Sequence, residues 1–139
     1  MRRSVIKMIF RTALTAMLLL FVYSIAPAEE LENSYDENTE ITVNGIVRAI
    51  ETNMHGPVIL RITSENSVYS VVTAPFWYLR MEKITFYTDE ILEIRGSKYF
   101  SKDGRLYIIA KKIRSEKNSR EIFLRDVQCR PMWHGMRNR

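Results

Sequence analysis

From Glu40 onward the chain breaks into short runs rich in β-branched residues, and a single proline-led aromatic segment interrupts them after the third run. Few small folds accept that order. Glu40–Glu51 reads as a long strand with Ile41, Val43, Val47 and Ala49 on one face. Gly45 stands in its middle, where a missing side chain marks a bulge or a sharp bend. In Val58–Thr63, Val58, Leu60 and Ile62 face inward and Arg61 and Thr63 outward. Val68–Ala74 sets Val68, Ser70 and Val72 opposite Tyr69, Val71 and Thr73. Pro75–Ile84 predicts a short helix: proline suits a first turn, and Trp77, Met81 and Ile84 share one helical face. Glu90–Lys98 and Leu106–Arg114 are the fourth and fifth strands, joined through Lys102-Asp103-Gly104-Arg105, where Asp-Gly tolerates the positive φ of a tight turn. A shorter sixth strand spans Glu121–Asp126.

This β-β-β-α-β-β order predicts a mostly β domain over residues 40–126. The fold expected is an OB-fold-like five-stranded Greek-key barrel, with one short helix between strands 3 and 4 and an extra C-terminal strand. The helix would plug one end of the barrel with Trp77 and Met81, and a bend at Gly45 would let the first strand serve both sides. SH3-like barrels and plain sandwiches lack a helix at that point. Cys129 is the single cysteine, so no disulfide can form within the chain, and an apolar core has to hold the domain together.

The first 28 residues read as an export signal. Arg2, Arg3, Lys7 and Arg11 form a basic start, an apolar run of 14 residues follows from Thr12 to Ile25, and Ala26-Pro27-Ala28 supplies a small-x-small cleavage site. The run is shorter than the ~20 residues of a permanent bilayer span. The reading is therefore an exported protein, most simply periplasmic; without cleavage it would stay membrane-anchored. Removing residues 1–28 leaves 17 basic against 16 acidic residues, so the near-neutral remainder has little of the whole chain's +5. The charge that stays is unevenly spread. Residues 29–39, with Glu29, Glu30, Glu32, Asp36 and Glu37, read as an acidic disordered leader, and 127–139 as a basic tail.

Two segments resemble motifs of a known family. Ala74-Pro75-Phe76-Trp77-Tyr78-Leu79 is similar to G-P-x-W-Y-L, and Leu124–Gly135 (LRDVQCRPMWHG) to L-R-D-x-x-G-x-P-x-W-x-G. Together they resemble a family of small exported bacterial OB-like domains that includes the domain shared by the magnetosome proteins MamS and MamX. The resemblance extends over roughly residues 40–137 and gives structural weight to Pro75, Trp77, Asp126, Pro131 and Trp133. Ala74 and Cys129 stand where the motifs have glycine. It implies an exported OB-like domain and assigns no chemistry. The haem-binding portions of some relatives need a CxxCH motif, which this chain lacks.

On an OB barrel, ligands meet strands 2 and 3 and the loops joining strands 1–2 and 4–5. The candidate ligand residues are Arg61, Tyr69, Thr73 and Arg105, with Thr63 beside them and the loops Asn53–Pro57 and Ser101–Arg105 around them. An outward tyrosine beside an outward arginine suits a sugar, a base or an anionic polymer. No nucleophile–base set, phosphate loop or metal-type Cys/His spacing is present, so the chain reads as non-enzymatic, without a cofactor or metal. The partner expected is an envelope protein or a small anionic or glycan ligand. Nucleic acid is the alternative, motivated by the 13 Lys/Arg of residues 95–139 and disfavoured by export.

Overall fold

The computed structural model describes Leu31 and residues 33–136; the expected signal and its cleavage site at Ala26 and Ala28 lie outside them. From Glu40 onward, among the described residues, six strands and one α-helix follow in the order read from the sequence: β1 (Glu40–Glu51), β2 (Pro57–Ser64), β3 (Ser67–Pro75), α1 (Phe76–Met81), β4 (Ile91–Phe100), β5 (Leu106–Ser115) and β6 (Glu121–Phe123). The sheet runs β3-β2-β1-β4-β5-β6, and a parallel pairing of β3 with β5 closes the first five strands into a barrel. β6 hangs outside the ring on β5. This is the OB arrangement. Among the described residues no helix is long and apolar enough to cross a membrane.

β1 serves both sides of the barrel, as expected. Its first half pairs with β4, from Glu40↔Ser97 to Ile46↔Ile91, and its second half with β2, from Ile46↔Thr63 to Glu51↔Ile59. Gly45 sits at the changeover, and a Cβ there would meet the Ile62 Cγ2 at 2.5 Å and the Thr63 carbonyl oxygen at 2.6 Å. The register slips between Val47 and Ala49. That slip turns Ala49 out to solvent, whereas period-2 reading had put it inside with Val43 and Val47. One added residue reverses every later side chain of a strand.

The centre of the core is aliphatic, with Tyr78, Phe86 and Trp133 joining it. Leu60, Ile62, Val71, Ile94, Ile108 and Ile113 are fully buried at its centre. Ala110 and Ile113 both reach it from β5, although they stand an odd three positions apart. The β4–β5 register explains this: Arg95 faces Lys112 and Gly96 faces Ala110, so Lys111 is bulged out of the ladder. The carbonyl of Lys111 accepts from the N–H groups of Leu124 (2.8 Å) and Arg125 (3.3 Å). Those two residues therefore leave β6, which ends at Phe123 instead of reaching Asp126 as expected.

The helix differs from its expected form. It has six residues, Pro75 is its N-cap and not its first residue, and it buries Tyr78 and Leu79. Trp77 is 36% exposed and Met81 53%, so neither plugs the barrel. A stripe at i, i+4 and i+7 needs two turns, and here Ile84 folds back past the helix end, its N–H on the Leu79 carbonyl at 2.8 Å. Trp133 of the C-terminal segment fills part of that role. It is 5% exposed and lies 5.4 Å from the Tyr78 ring.

Neither flank is loose where it is described. In the acidic leader, the Asp36 N–H donates to the Ser97 hydroxyl at 3.1 Å, and the Thr39 hydroxyl donates to the Lys98 carbonyl at 3.2 Å. Of the stretch expected as an acidic leader, Asp36 to Thr39 thus lie along β4. At the other end Asp126 accepts from the Arg130 backbone N–H and its Nε, both at 2.9 Å, and Arg125 bridges Pro131. That turn puts Cys129 at φ 62°, in the left-handed region, which explains the glycine that the family motif has there. Ala74 differs: it is fully buried without positive φ, so its position asks only for a small side chain.

Candidate functional site

Cross-strand pairing decides which side chains share the outer face. Arg61 of β2 pairs with Ser70 of β3, Ser70 with Tyr107 of β5, and Tyr107 with Tyr99 of β4. Paired residues point to the same side of a sheet. Arg61, Ser70, Tyr107 and Tyr99 therefore form one row across three strand boundaries, on the face opposite the buried Ile62, Val71 and Ile108. Thr63 and Val68, a further pair, continue the face, and Val68 is exposed. The Ser101–Arg105 hairpin closes over the same end. It is knit by the Ser101 hydroxyl and the Asp103 carboxylate, and by the Arg105 N–H donating to the Ser101 Oγ at 3.2 Å.

Two of the expected ligand residues do not belong to this row. Tyr69 pairs with Ile62 and packs against the core, so it is on the opposite face from Arg61. Thr73 is 2% exposed, and its hydroxyl donates to the Val58 carbonyl at 2.7 Å. Its polar group is satisfied inside the fold. Arg61 and Arg105 stay exposed, ion-paired with Glu51 (2.8 Å) and Asp103 (3.1 Å) respectively. Such pairs contribute little to stability and exchange readily for a ligand's charge. Tyr99 and Tyr107 were absent from the sequence reading. The parity of β4 carries the signal for the first: with Ile94 inside, Arg95 and Tyr99 fall on the opposite side, with Ser97 between them buried beneath Asp36.

Beside this face the leader is clasped to the barrel by Glu40. Its carboxylate, 13% exposed, accepts from the Tyr35 hydroxyl (2.7 Å) and Arg95 (2.7 Å), and pairs with the Lys111 ammonium at 3.4 Å. Burial opposes its ionisation, but the bonds from Tyr35 and Arg95 and the Lys111 charge outweigh burial and hold the carboxyl below its ordinary value. Burial, and then the bond to Glu40, push the Tyr35 phenol up. Cys129 completes the cluster, with Sγ 3.1 Å from the Lys111 Nζ and 3.0 Å from a Glu37 oxygen. Burial and the neighbouring Glu37 raise its pKa and keep it a thiol.

Glu40→Gln is expected to cost about 2 kcal/mol at neutral pH, the scale of a charge-assisted bond lost from a shielded site. The sign with pH follows from the lowered pKa. The clasp contributes fully above the unfolded value near 4.5, and its contribution is lost as pH falls through the folded value. Urea midpoints of parent and variant should converge in acid; a gap that is constant from pH 7 down to 3 would remove the clasp from the account.

Among the described residues no three His, Cys, Asp or Glu side chains converge in a way that would hold a metal ion. The two histidines, His55 and His134, are both exposed.

Compared with known proteins, the chain matches the MamS/MamX magnetosome protein family over residues 39–120, from the start of β1 to the turn before β6. The chain belongs to that family. The match takes in Pro75 and Trp77 and stops short of Leu124–Gly135, so the MamS/MamX assignment rests on the barrel and the first motif alone. No curated protein matches the chain. Among solved structures, a chain of the S. pombe Stn1–Ten1 complex is similar at 16% identity and a TM-score of 0.48, covering 57% of this chain and 59% of its own. This MamS/MamX domain therefore spans about three fifths of that neighbour's length.

Proposed function

We propose that the protein is an exported, non-enzymatic OB-like binding module of the cell envelope, holding its ligand on the Arg61–Ser70–Tyr107–Tyr99 row. The observation that carries this reading is the register that aligns two tyrosines with an arginine across four strands. Tyrosine rings stack on planar or ring-shaped groups, and the arginines beside them pair with anionic ones. A glycan or a small anionic ligand presented by an envelope partner fits that chemistry. Export rests on the tripartite N-terminus, and periplasmic residence follows from it.

A general nucleic-acid or polyanion binder is the weaker reading. Of the basic residues in the C-terminal half, Arg95, Arg105, Lys111, Lys112, Arg114 and Arg130 are already ion-paired within the domain. That leaves less free positive charge than the composition suggests.

Equilibrium titration with a panel of oligosaccharides, with single-stranded DNA as the comparison, tests both readings. Tyr107→Ala is expected to weaken binding by roughly tenfold or more, given ~1–3 kcal/mol per stacked ring. Unchanged affinity in Tyr107→Ala and Arg61→Ala would rule the row out. DNA binding that falls steeply with salt, with no glycan bound, would favour the polyanion reading.

A further inference from the structure

Methionine is ordinarily a core residue, yet none of the described methionines serves the core here. Met54 and Met81 are exposed, Met132 and Met136 are 39% and 36% exposed, and the apolar cluster inside the barrel contains none of them. Two of these methionines flank a histidine at alternate positions. Met132-Trp133-His134-Gly135-Met136 sets two thioether sulfurs and an imidazole at i, i+2 and i+4 of one short segment. His134 is exposed as well.

The segment is fixed to the barrel. The Met132 N–H donates to the Leu124 carbonyl at 3.0 Å, and Trp133, between Met132 and His134, is buried against Tyr78. Two overlapping turns follow. The His134 N–H donates to the Pro131 carbonyl at 3.0 Å, and the Met136 N–H to the Trp133 carbonyl at 3.1 Å. Such turns hold the Cα atoms of their end residues within ~7 Å of each other. Gly135 stands between His134 and Met136, and nothing lies within 4 Å of where its Cβ would be. The backbone beneath the three donors is therefore anchored, and the space over Gly135 is open. Methionine's unbranched, freely rotating side chain lets each sulfur turn onto an ion there.

The donor chemistry selects the metal. Thioethers are soft ligands that favour Cu(I), and imidazole also suits copper. Calcium, magnesium and manganese want oxygen ligands, and zinc sites use thiolate, imidazole and carboxylate. The nearest carboxylate in sequence, Asp126, is taken up by Arg130 at 2.9 Å. The Cys129 thiol is engaged elsewhere, 3.1 Å from the Lys111 Nζ and 3.0 Å from a Glu37 oxygen.

We propose that the Met132–His134–Met136 turn is a Cu(I) site, with the two thioether sulfurs and an imidazole nitrogen as its ligands. The lack of a His, Cys, Asp and Glu cluster among the described residues does not touch it, because methionine supplies two of the three donors. The site is separate from the Tyr107 row, and neither depends on the other.

Anaerobic competition of the full chain against bicinchoninate, a coloured Cu(I) chelator, tests this, with ¹³C-methyl methionine spectra recorded in parallel. The chain is expected to take a single Cu(I) from the chelator. The Met132 and Met136 methyl signals should move, and those of Met54 and Met81 should stay. Met132→Leu and Met136→Leu keep the side-chain volume and remove the sulfur; each should weaken Cu(I) binding roughly tenfold or more, as should His134→Ala, the loss of one ligand of three. Cys129→Ser, His55→Ala and Tyr107→Ala should keep the parent affinity, so failure here and failure of the stacking face are distinguishable. Zn(II) at equal concentration should not displace the copper. No uptake from the chelator, parent-like affinity in the Met132→Leu/Met136→Leu double variant, loss of binding in Cys129→Ser, or displacement by Zn(II) would overturn the proposal.

Discussion

Gly45→Val is expected to prevent the barrel from closing. The added Cβ alone would come to 2.6 Å from the Thr63 carbonyl and 2.5 Å from the Ile62 Cγ2. A side-chain methyl can move aside, but the carbonyl belongs to the β1–β2 ladder and cannot. Overpacking a well-filled core costs ~1–3 kcal/mol and occasionally more, and the backbone contact puts this case at the upper end or beyond. Domains of this size hold only ~5–15 kcal/mol in total. The expected result is loss of the cooperative urea transition, or a midpoint shifted by more than ~3 kcal/mol. Gly56→Val is the matched control, since a Cβ there meets nothing nearer than the Asn53 side chain at 3.6 Å. If both variants unfold alike, or both are unaffected, the changeover of β1 is not the constraint proposed.

The two tryptophans should behave in opposite ways. Trp133→Ala removes a 5%-exposed ring that lies against Tyr78, and a loss of about 3–5 kcal/mol is expected, as for other buried aromatics. Trp77→Ala removes a ring that is 36% exposed, and less than about 1 kcal/mol should follow. Chemical denaturation followed by near-ultraviolet circular dichroism separates the two. Equal losses would mean that the C-terminal segment is a passive flank; on the present packing it is part of the core.

Most of the architecture was legible because strand order, turn chemistry and period-2 patterning agree. The Asp103-Gly104 hairpin, the five-strand order and the double duty of β1 follow from residues alone. What escaped were register events. A slip near Val47 turned Ala49 outward, and a bulge at Lys111 brought Ala110 and Ile113 to the same side. Neither has a local sequence signature, because both are set by the partner strand. The candidate site inherited the same blindness. Reading strands 2 and 3 singly put Tyr69 beside Arg61, whereas pairing puts it on the other face. The aromatics that do join Arg61 come from β4 and β5, and the parallel β3–β5 closure that brings Tyr107 next to Ser70 is a non-local contact. In the leader, Asp36 and Thr39 bond to β4, contacts that no local pattern announces. Glu40, immediately after it, has its counter-ions on strands that fold more than 50 residues later.

The bulge at Lys111 has a mechanical side. Its ammonium reaches the leader through Glu40, and its carbonyl receives Leu124 and Arg125 as the chain leaves β6. Incoming and outgoing chain are thus pinned at one residue. A tether on the leader and a neighbour fused to the C-terminal segment would load the domain at the same point, like two cords tied to one ring. Pulling them apart would strain that knot first, while the Arg61–Tyr107 row, held by the ladder of four strands, would keep its shape.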